Sequence, residues 1–464
     1  MTEQTKDYSV TAGTLSSAAP ALVLIFEAGR TACRLLPMGA KPTLAIGRDA
    51  SNVVALPQDD RMSKRHAQIT ATADGFEIED LQSRNGTFVD GHELRDAKRT
   101  ATGDAVVVVG SSIFLAVRDA SRFGGGPVEV TDIVLDPQTR AALRRVESIA
   151  KKRHPLVIFA ETGAGKDHAA SVYHRAARPR GPFVVFNCNN IDPQLADAKL
   201  FGALKGSHST ATRDTQGAFQ DASGGVLFLD EVQDLAPAVQ GKLLRAVEAQ
   251  EIMPVGATKP IKVDVQIVCA TNVAIRVAVE EGRFRRDLFH RLAQSEVELP
   301  PLRARLEAVP HLIALELARY GGALRARFDF IEACLLRPWP GNVRELFGAV
   351  KVAIENAEAE ARERGVAVER LTAKHLPRHA GFAARIPSAR GSTPSATPES
   401  EPAAPLLRKR EMQRENFRKV YLEVMSSRQG ERVTVLMEEI AKRVGISPST
   451  GFEWAKELRA GKSK

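Results

Sequence analysis

Cysteine is scarce in this chain: Cys33, Cys188, Cys269 and Cys334 are the four in 464 residues, scattered without metal-ligand spacing. That pattern excludes a disulfide scaffold and predicts reduced, mostly buried thiols. Long apolar runs are missing too, none reaching the ~20 residues of a membrane helix. The polar stretch Met1 to Ala19 lacks the apolar segment of a signal peptide. No repeat of solenoid period occurs. These absences predict a soluble, cytoplasmic chain with no membrane partner. What is present, 44% hydrophobic and 26% charged residues, suits several buried cores, and the length suggests about three domains.

The net charge of +9 becomes informative once located. Arg408 to Lys464 holds 14 Lys/Arg against 8 Asp/Glu, so most of the surplus sits in one short segment. Such a segment can supply phosphate attraction for nucleic acid, or it can be a solvated basic tail.

Two stretches read as linkers: 122–127, with Gly-Gly-Gly-Pro, and 378–405, rich in Ser, Pro, Ala and Thr. Residues 1–20 read as a disordered tail. The block 21–121 reads as an antiparallel β-sandwich: short β-branched runs such as Ala21 to Phe26, Thr87 to Val89 and Ala105 to Gly110 alternate with turn signals Asn85-Gly86 and Asp90-Gly91. The block 128–377 alternates apolar runs (Val157 to Ala160, Phe183 to Phe186, Val226 to Leu229, Gln266 to Ala270) with helical segments. It predicts a parallel α/β sheet followed by a helical part with helices near Pro310 to Tyr320 and Val343 to Ala357.

Within the β block, Gly47-Arg48, Ser63-Lys64-Arg65-His66 and Ser83-Arg84-Asn85-Gly86-Thr87 occur in order. A phosphate dianion needs charge-assisted donors, and Arg48, the Ser63 hydroxyl and Lys64 can supply them from neighbouring loops. Together the three signals resemble a forkhead-associated (FHA) domain. The resemblance implies a phosphothreonine protein or peptide as partner, with Asn85 holding the peptide backbone and His66 bracing the loop.

In the α/β block, Ala160-Glu161-Thr162-Gly163-Ala164-Gly165-Lys166-Asp167 follows an apolar strand and opens a helix, the setting of a phosphate-cradling P-loop. Ala160 stands where the general pattern has Gly, and Asp167 where it has Ser or Thr. Val226-Leu227-Phe228-Leu229 ends in Asp230-Glu231, a strand-borne acid pair suited to Mg²⁺ and to polarising water. Ala270-Thr271-Asn272 ends another strand, and Gly282 to Leu292, Leu299 to Arg303 and Trp339 to Leu346 follow. This ordered set resembles the AAA+ domain of bacterial sigma-54 activators. The resemblance implies ATP and Mg²⁺ as cofactors, with Glu161 to Asp167 on the nucleotide and Asp230 on the metal. Glu231 would activate water, with Asn187 as its switch partner and Asn272 as sensor. Arg285 and Arg291 would be arginine fingers for a neighbouring subunit, and Arg344 the lid sensor. A homo-oligomeric ring, hexamer or heptamer, follows, because a monomer would lack the fingers.

The family's sigma-contacting loop, Gly-Ala-Phe-Thr-Gly-Ala, is replaced by Gly206-Ser207-His208-Ser209-Thr210-Ala211. His208 is smaller and more polar than the aromatic anchor it replaces. Two readings stay open: a changed contact with sigma-54 RNA polymerase holoenzyme, or a phospho-responsive DNA regulator independent of sigma-54.

Thr434 caps a segment carrying Met437, Ile440, Ala441 and Val444, then Gly445-Ile446-Ser447-Pro448 makes a turn and N-cap. Helix, turn, helix over 406–464 predicts a helix-turn-helix reader of double-stranded promoter or enhancer DNA, with Ser449, Thr450, Glu453 and Lys456 as contact residues. The fold expectation is therefore an all-β FHA sandwich, an AAA+ α/β domain with helical lid, and an all-α helix-turn-helix.

Overall fold

The computed structural model describes residues 19–39, 42–123, 136–189, 193–207, 213–272, 275–320, 324–365 and 367–382. The chain divides into two units, Met1–Arg385 and Ile386–Lys464. The helix-turn-helix expected at 406–464, with Ser449, Thr450, Glu453 and Lys456, lies outside the described residues.

The N-terminal part is a sandwich of two sheets. One runs, in spatial order, Arg30–Pro37, Ala21–Glu27, Ser112–Val117, Ala105–Val109, Thr87–Val89 and His92–Leu94. The other runs Val54–Ala55, Thr43–Gly47, Ala67–Ala71, Gly75–Asp80 and Lys98–Thr102. Pairing is antiparallel except where Thr43–Gly47 meets Val54–Ala55. Asp90 and Gly91 both take positive φ (48° and 77°), which closes the tight hairpin from Thr87–Val89 to His92–Leu94.

Alternation sends two different sets of side chains to the two faces of the first sheet. Leu22, Leu24, Val107, Val109, Phe114 and Ala116 fill the sandwich core. Ala21, Val23, Ile25, Val106, Val108, Ile113, Leu115 and Val117 point the other way and are buried as well. An antiparallel sheet normally leaves one face wet. Here the outer face packs on the lid, in one apolar cluster with Leu302, Leu312, Phe330, Leu335 and Trp339.

The α/β core is a parallel sheet in the order Phe183–Asn187, Val226–Asp230, Gln266–Thr271, Leu156–Phe159, Glu296–Glu298. Its strands are flanked by helices including Pro137–Lys151, Lys166–Ala177 and Pro237–Ala249. The first begins where Asp136 Oδ1 accepts from Thr139 N (2.7 Å), with Pro137 at the first helical position. A connector of two 3-10 turns, Leu302–Ala304 and Leu306–Ala308, leads to the lid helices Val309–Ala318, Phe328–Leu335 and Asn342–Arg364. The last stops at Gly365, whose φ of 65° suits glycine.

Two expected linkers begin later than their composition suggests. Arg122 and Phe123 lie in a 3-10 turn, Ser121–Phe123, with Phe123 buried. Residues 378–382 pack on the lid, where Gly381 O accepts from Trp339 N and Gly381 N donates to Glu345. Burial of one aromatic and these backbone bonds override the local composition.

Candidate functional site

Parallel strands deliver their loops to one edge of the sheet, where a ligand can meet several of them. A cavity of about 510 Å³ opens there, between α/β core and lid. Its lining combines polar residues, Thr162 to His168, Asp230, Glu231 and Arg344 among them, with apolar ones such as Leu143, Leu312, Leu315 and Phe347. Charged and apolar lining together fit a nucleotide's phosphates and base.

The P-loop is shaped by glycine. Gly163 and Gly165 have φ of 76° and 115°, and a Cβ on Gly163 would lie 2.2 Å from Gly341 O. Helix Lys166–Ala177 starts at the loop, so its free N–H groups face the cavity. Lys166 is buried, with Nζ 2.5 Å from Glu231 Oε1 and 3.8 Å from Asp230 Oδ1. Burial pushes the Asp230 carboxyl up, against the pull of Lys166. Burial acts the same way on Glu231, but bonds from Lys166, Gln233 and the Asn272 backbone outweigh it and keep that carboxyl low. Glu231 itself takes left-handed backbone angles (φ 50°, ψ 51°), a strain that clusters at functional sites.

Asn187 lies one strand away, across from Asp230 in the register. Its Oδ1 accepts from Asn189 N at 3.0 Å. Glu231 is instead held from the P-loop side by Lys166 and from its own strand end by Gln233. The Glu231 carboxylate has Lys166 and Gln233 as its side-chain donors, and the expected Asn187–Glu231 bond is absent among the described residues.

Asp167 is exposed and lies 3.7 Å from Arg344 Nη2, so Arg344 of the lid reaches the P-loop edge. Arg285 is exposed and paired with Asp287 (2.7 Å). Neither it nor half-buried Arg291 lines the chain's own cavity. Asp230 and Asp167 are hard oxygen donors of the type Mg²⁺ takes with phosphates completing its shell. No cluster of three His, Cys, Asp or Glu residues stands ready for a metal among the described residues.

Several holding residues had no role assigned from the sequence. Asn342, fully buried with φ 53°, donates from Nδ2 to Glu161 Oε2 and to Thr162 O, both at 3.1 Å. Its Oδ1 accepts from Leu302 N at 2.7 Å. Arg303 grips Glu161 with two bonds, 2.6 and 2.7 Å. Arg305 donates to Ala164 O and to Thr139 Oγ1, both at 2.8 Å. The Trp339 to Leu346 and Leu299 to Arg303 motifs marked these stretches without revealing that they clamp the P-loop.

The base of the 206–211 loop is closed by Ala203, whose N donates to Thr215 O and whose O accepts from Thr215 N. Gly206 and Ser207 begin the turn; His208, Ser209, Thr210 and Ala211 lie outside the described residues.

At one end of the sandwich three loops are cross-tied. Arg48 N donates to Ser63 O, and Arg84 N to Ser63 Oγ (3.0 Å). Asn85 Nδ2 donates to Arg61 O at 2.6 Å. Fully buried His66 accepts from Ser63 N on Nδ1 (3.0 Å), which puts its proton on Nε2, facing Gly86 O at 3.1 Å. Burial lowers its pKa, consistent with that neutral form. Buried Asp80 accepts from Ser83 and Thr87 and shapes the third loop. A Cβ on Gly47 would lie 2.2 Å from Lys64 O, so the loops approach too closely for any other residue. Arg48 and Lys64 are exposed beside Ser63, a basic edge around a hydroxyl.

Comparison with known proteins agrees with this division. The FHA domain family matches residues 44–109, and the Sigma-54 interaction domain family matches residues 133–298. Response regulator protein PilR of Pseudomonas aeruginosa is 41% identical over 226 residues, covering 47% of this chain and 51% of that protein. Transcriptional regulatory protein XylR of Pseudomonas putida is 41% identical over 221 residues, covering 46% of this chain and 39% of that protein. The chain thus spans about half or less of the length of these curated relatives. NtrX from Brucella abortus in complex with ATP is 28% identical with a TM-score of 0.47, covering 71% of this chain and 69% of that one. One chain thus joins a region that matches the FHA domain family, residues 44–109, to a region that matches the Sigma-54 interaction domain family, residues 133–298.

Proposed function

We propose that this chain is a sigma-54-dependent transcription regulator: an ATPase whose subunits assemble into a ring on promoter or enhancer DNA and remodel the polymerase complex. Its FHA domain reads a phosphothreonine protein. The observation that carries the ATPase reading is Lys166 meeting Asp230 and Glu231 inside one cavity. Lys166 and the helix N-terminus neutralise the phosphates, and Glu231 accepts a hydrogen bond from the attacking water. Asp230, with Asp167 nearby, would hold Mg²⁺, which would supply charge neutralisation at the phosphates. Arg285 and Arg291 sit outside their own pocket, which supports their use on a neighbour's nucleotide and hence a homo-oligomer. The basic edge of Arg48 and Lys64 around Ser63 supports a phosphate ligand.

The test is binding of the purified chain to sigma-54 RNA polymerase holoenzyme, with and without a transition-state analogue of ATP. Complex formation that depends on the analogue is the expected result. Normal hydrolysis without a complex would remove sigma-54 from this reading and leave an ATPase with another client.

A further inference from the structure

We infer that Gln233 is a positioning residue for the hydrolytic carboxylate, an inference that rests on the ATPase reading above. Gln233 is buried in the turn after Glu231 and donates from Nε2 to Glu231 Oε2 at 2.8 Å. Its own Oε1 accepts from Thr271 Oγ1 at 2.6 Å, which orients the amide with its NH₂ toward the carboxylate. Thr271, fully buried, ends the strand whose carbonyl also receives Ala160 N at the start of the P-loop. A chain of bonds thus runs from the sensor strand through Gln233 to Glu231. The other carboxylate oxygen, Oε1, is taken by Lys166. When ATP draws Lys166 to its phosphates, Oε1 is released to accept from water while Gln233 keeps Oε2 in place. Glu231 sits in a strained left-handed conformation, so an external hold on its side chain has something to oppose.

The full chain is assayed as wild type, Glu231→Gln, Gln233→Leu and Thr271→Val, together with affinity for a non-hydrolysable ATP analogue measured without turnover. Gln233→Leu is expected to lower kcat about tenfold or more, with KM and analogue affinity within about twofold. Thr271→Val, which leaves Gln233 present but unoriented, should lower kcat in the same direction. Unchanged kcat in both, or a loss that appears equally in analogue affinity, overturns the positioning role. Absence of wild-type turnover above Glu231→Gln would instead sink the ATPase reading.

We propose further that the FHA domain is a brace across the joint between α/β core and lid, and that it holds ATP turnover down. It touches both sides. The turn Ser121–Phe123 packs on helix Pro137–Lys151 of the core, while strands Ala105–Val109 and Ser112–Val117 pack on lid helix Phe328–Leu335. Between them Arg122 lies 3.7 Å from Glu307 on the connector that also carries Arg303 and Arg305. A body fixed to both sides of a joint resists its bending, and the lid carries Arg344 to the nucleotide. The phosphate-reading edge connects to this seam: Arg61, whose carbonyl holds Asn85, lies over the Phe328 ring at 5.3 Å. A phosphothreonine peptide that shifts Asn85 therefore pulls on a lid contact.

Leu115→Arg and Val108→Arg charge the outer face without entering the sandwich core. Each is expected to raise turnover per subunit about fivefold or more, with faster hydrogen exchange in Phe328–Leu335. Faster exchange with unchanged or lower turnover overturns the restraint. Unchanged exchange in both variants overturns the docked face itself. A phosphothreonine peptide that binds and leaves wild-type turnover unaltered removes the link through Arg61.

Discussion

Arg305 Nη2 donates to Ala164 O at 2.8 Å, a bond that spans 141 positions and joins the lid connector to the P-loop. The guanidinium is almost fully buried, and its other arm bonds Thr139 Oγ1 beside the N-cap Asp136. The connector therefore fixes both the loop that receives phosphate and the first helix of the core. Arg305→Lys retains charge and loses the two-armed geometry. ATP affinity should fall roughly tenfold, with partial retention of fold stability. Titration with a fluorescent nucleotide beside a thermal melt checks this, and unchanged affinity would remove Arg305 from the site.

If Arg285 serves a neighbour, its loss and the loss of Glu231 lie in different halves of one composite site. Glu231→Gln and Arg285→Ala should each reduce turnover about 100-fold or more. Mixing the two variants should restore part of the rate, because some interfaces then pair an intact Arg285 with an intact Glu231. A mixture no faster than either parent would place Arg285 outside catalysis.

On the FHA domain, Arg48→Ala and Ser63→Ala remove the proposed phosphate donors at exposed or half-exposed positions. Phosphothreonine peptide binding should weaken about tenfold or more for each, with little change in melting temperature. His66→Ala differs: it deletes a buried ring that ties Ser63 N to Gly86 O, so both binding and stability should drop. Isothermal titration and a melt on the same samples separate the two cases.

Glu307 offers a pH signature. Burial raises its pKa to about 7, with Arg122 pulling the other way. The folded chain then holds this proton more tightly than the unfolded chain does. The contribution to stability is fully present below the unfolded value near 4.5 and is lost as pH rises through about 7. The span corresponds to at most about 3 kcal/mol. Glu307→Gln should flatten the fall in melting temperature between about pH 5 and 8. A wild-type profile already flat across that range would contradict the assignment.

Much of the nucleotide site is readable along the chain because its parts are local. Two glycines, Gly163 and Gly165, before Lys166 and an apolar strand ending in Asp230-Glu231 need no long-range information, since backbone freedom and strand burial dictate both patterns. The same holds for the hairpin turn at Asp90-Gly91 and for the helix from Asn342, expected from Val343 to Ala357 and found to run on to Arg364. Asn187 shows the limit: its position on the strand is local, but only the folded chain shows Asn189 N on its Oδ1 and Lys166 and Gln233 on Glu231.

The P-loop and the acid pair are written in spacing within a few residues, and the two domain types and the candidate phosphate donors of the sandwich in the order of short motifs along the chain. Tertiary structure alone decided how Asn342, Arg303 and Arg305 clamp the P-loop across 141 to 181 positions. It also decided that the run Ala105-Val106-Val107-Val108-Val109 is buried on both faces, one against the sandwich and one against the lid. A row of valines records only that two faces are apolar; which body covers the second face is settled when the lid arrives.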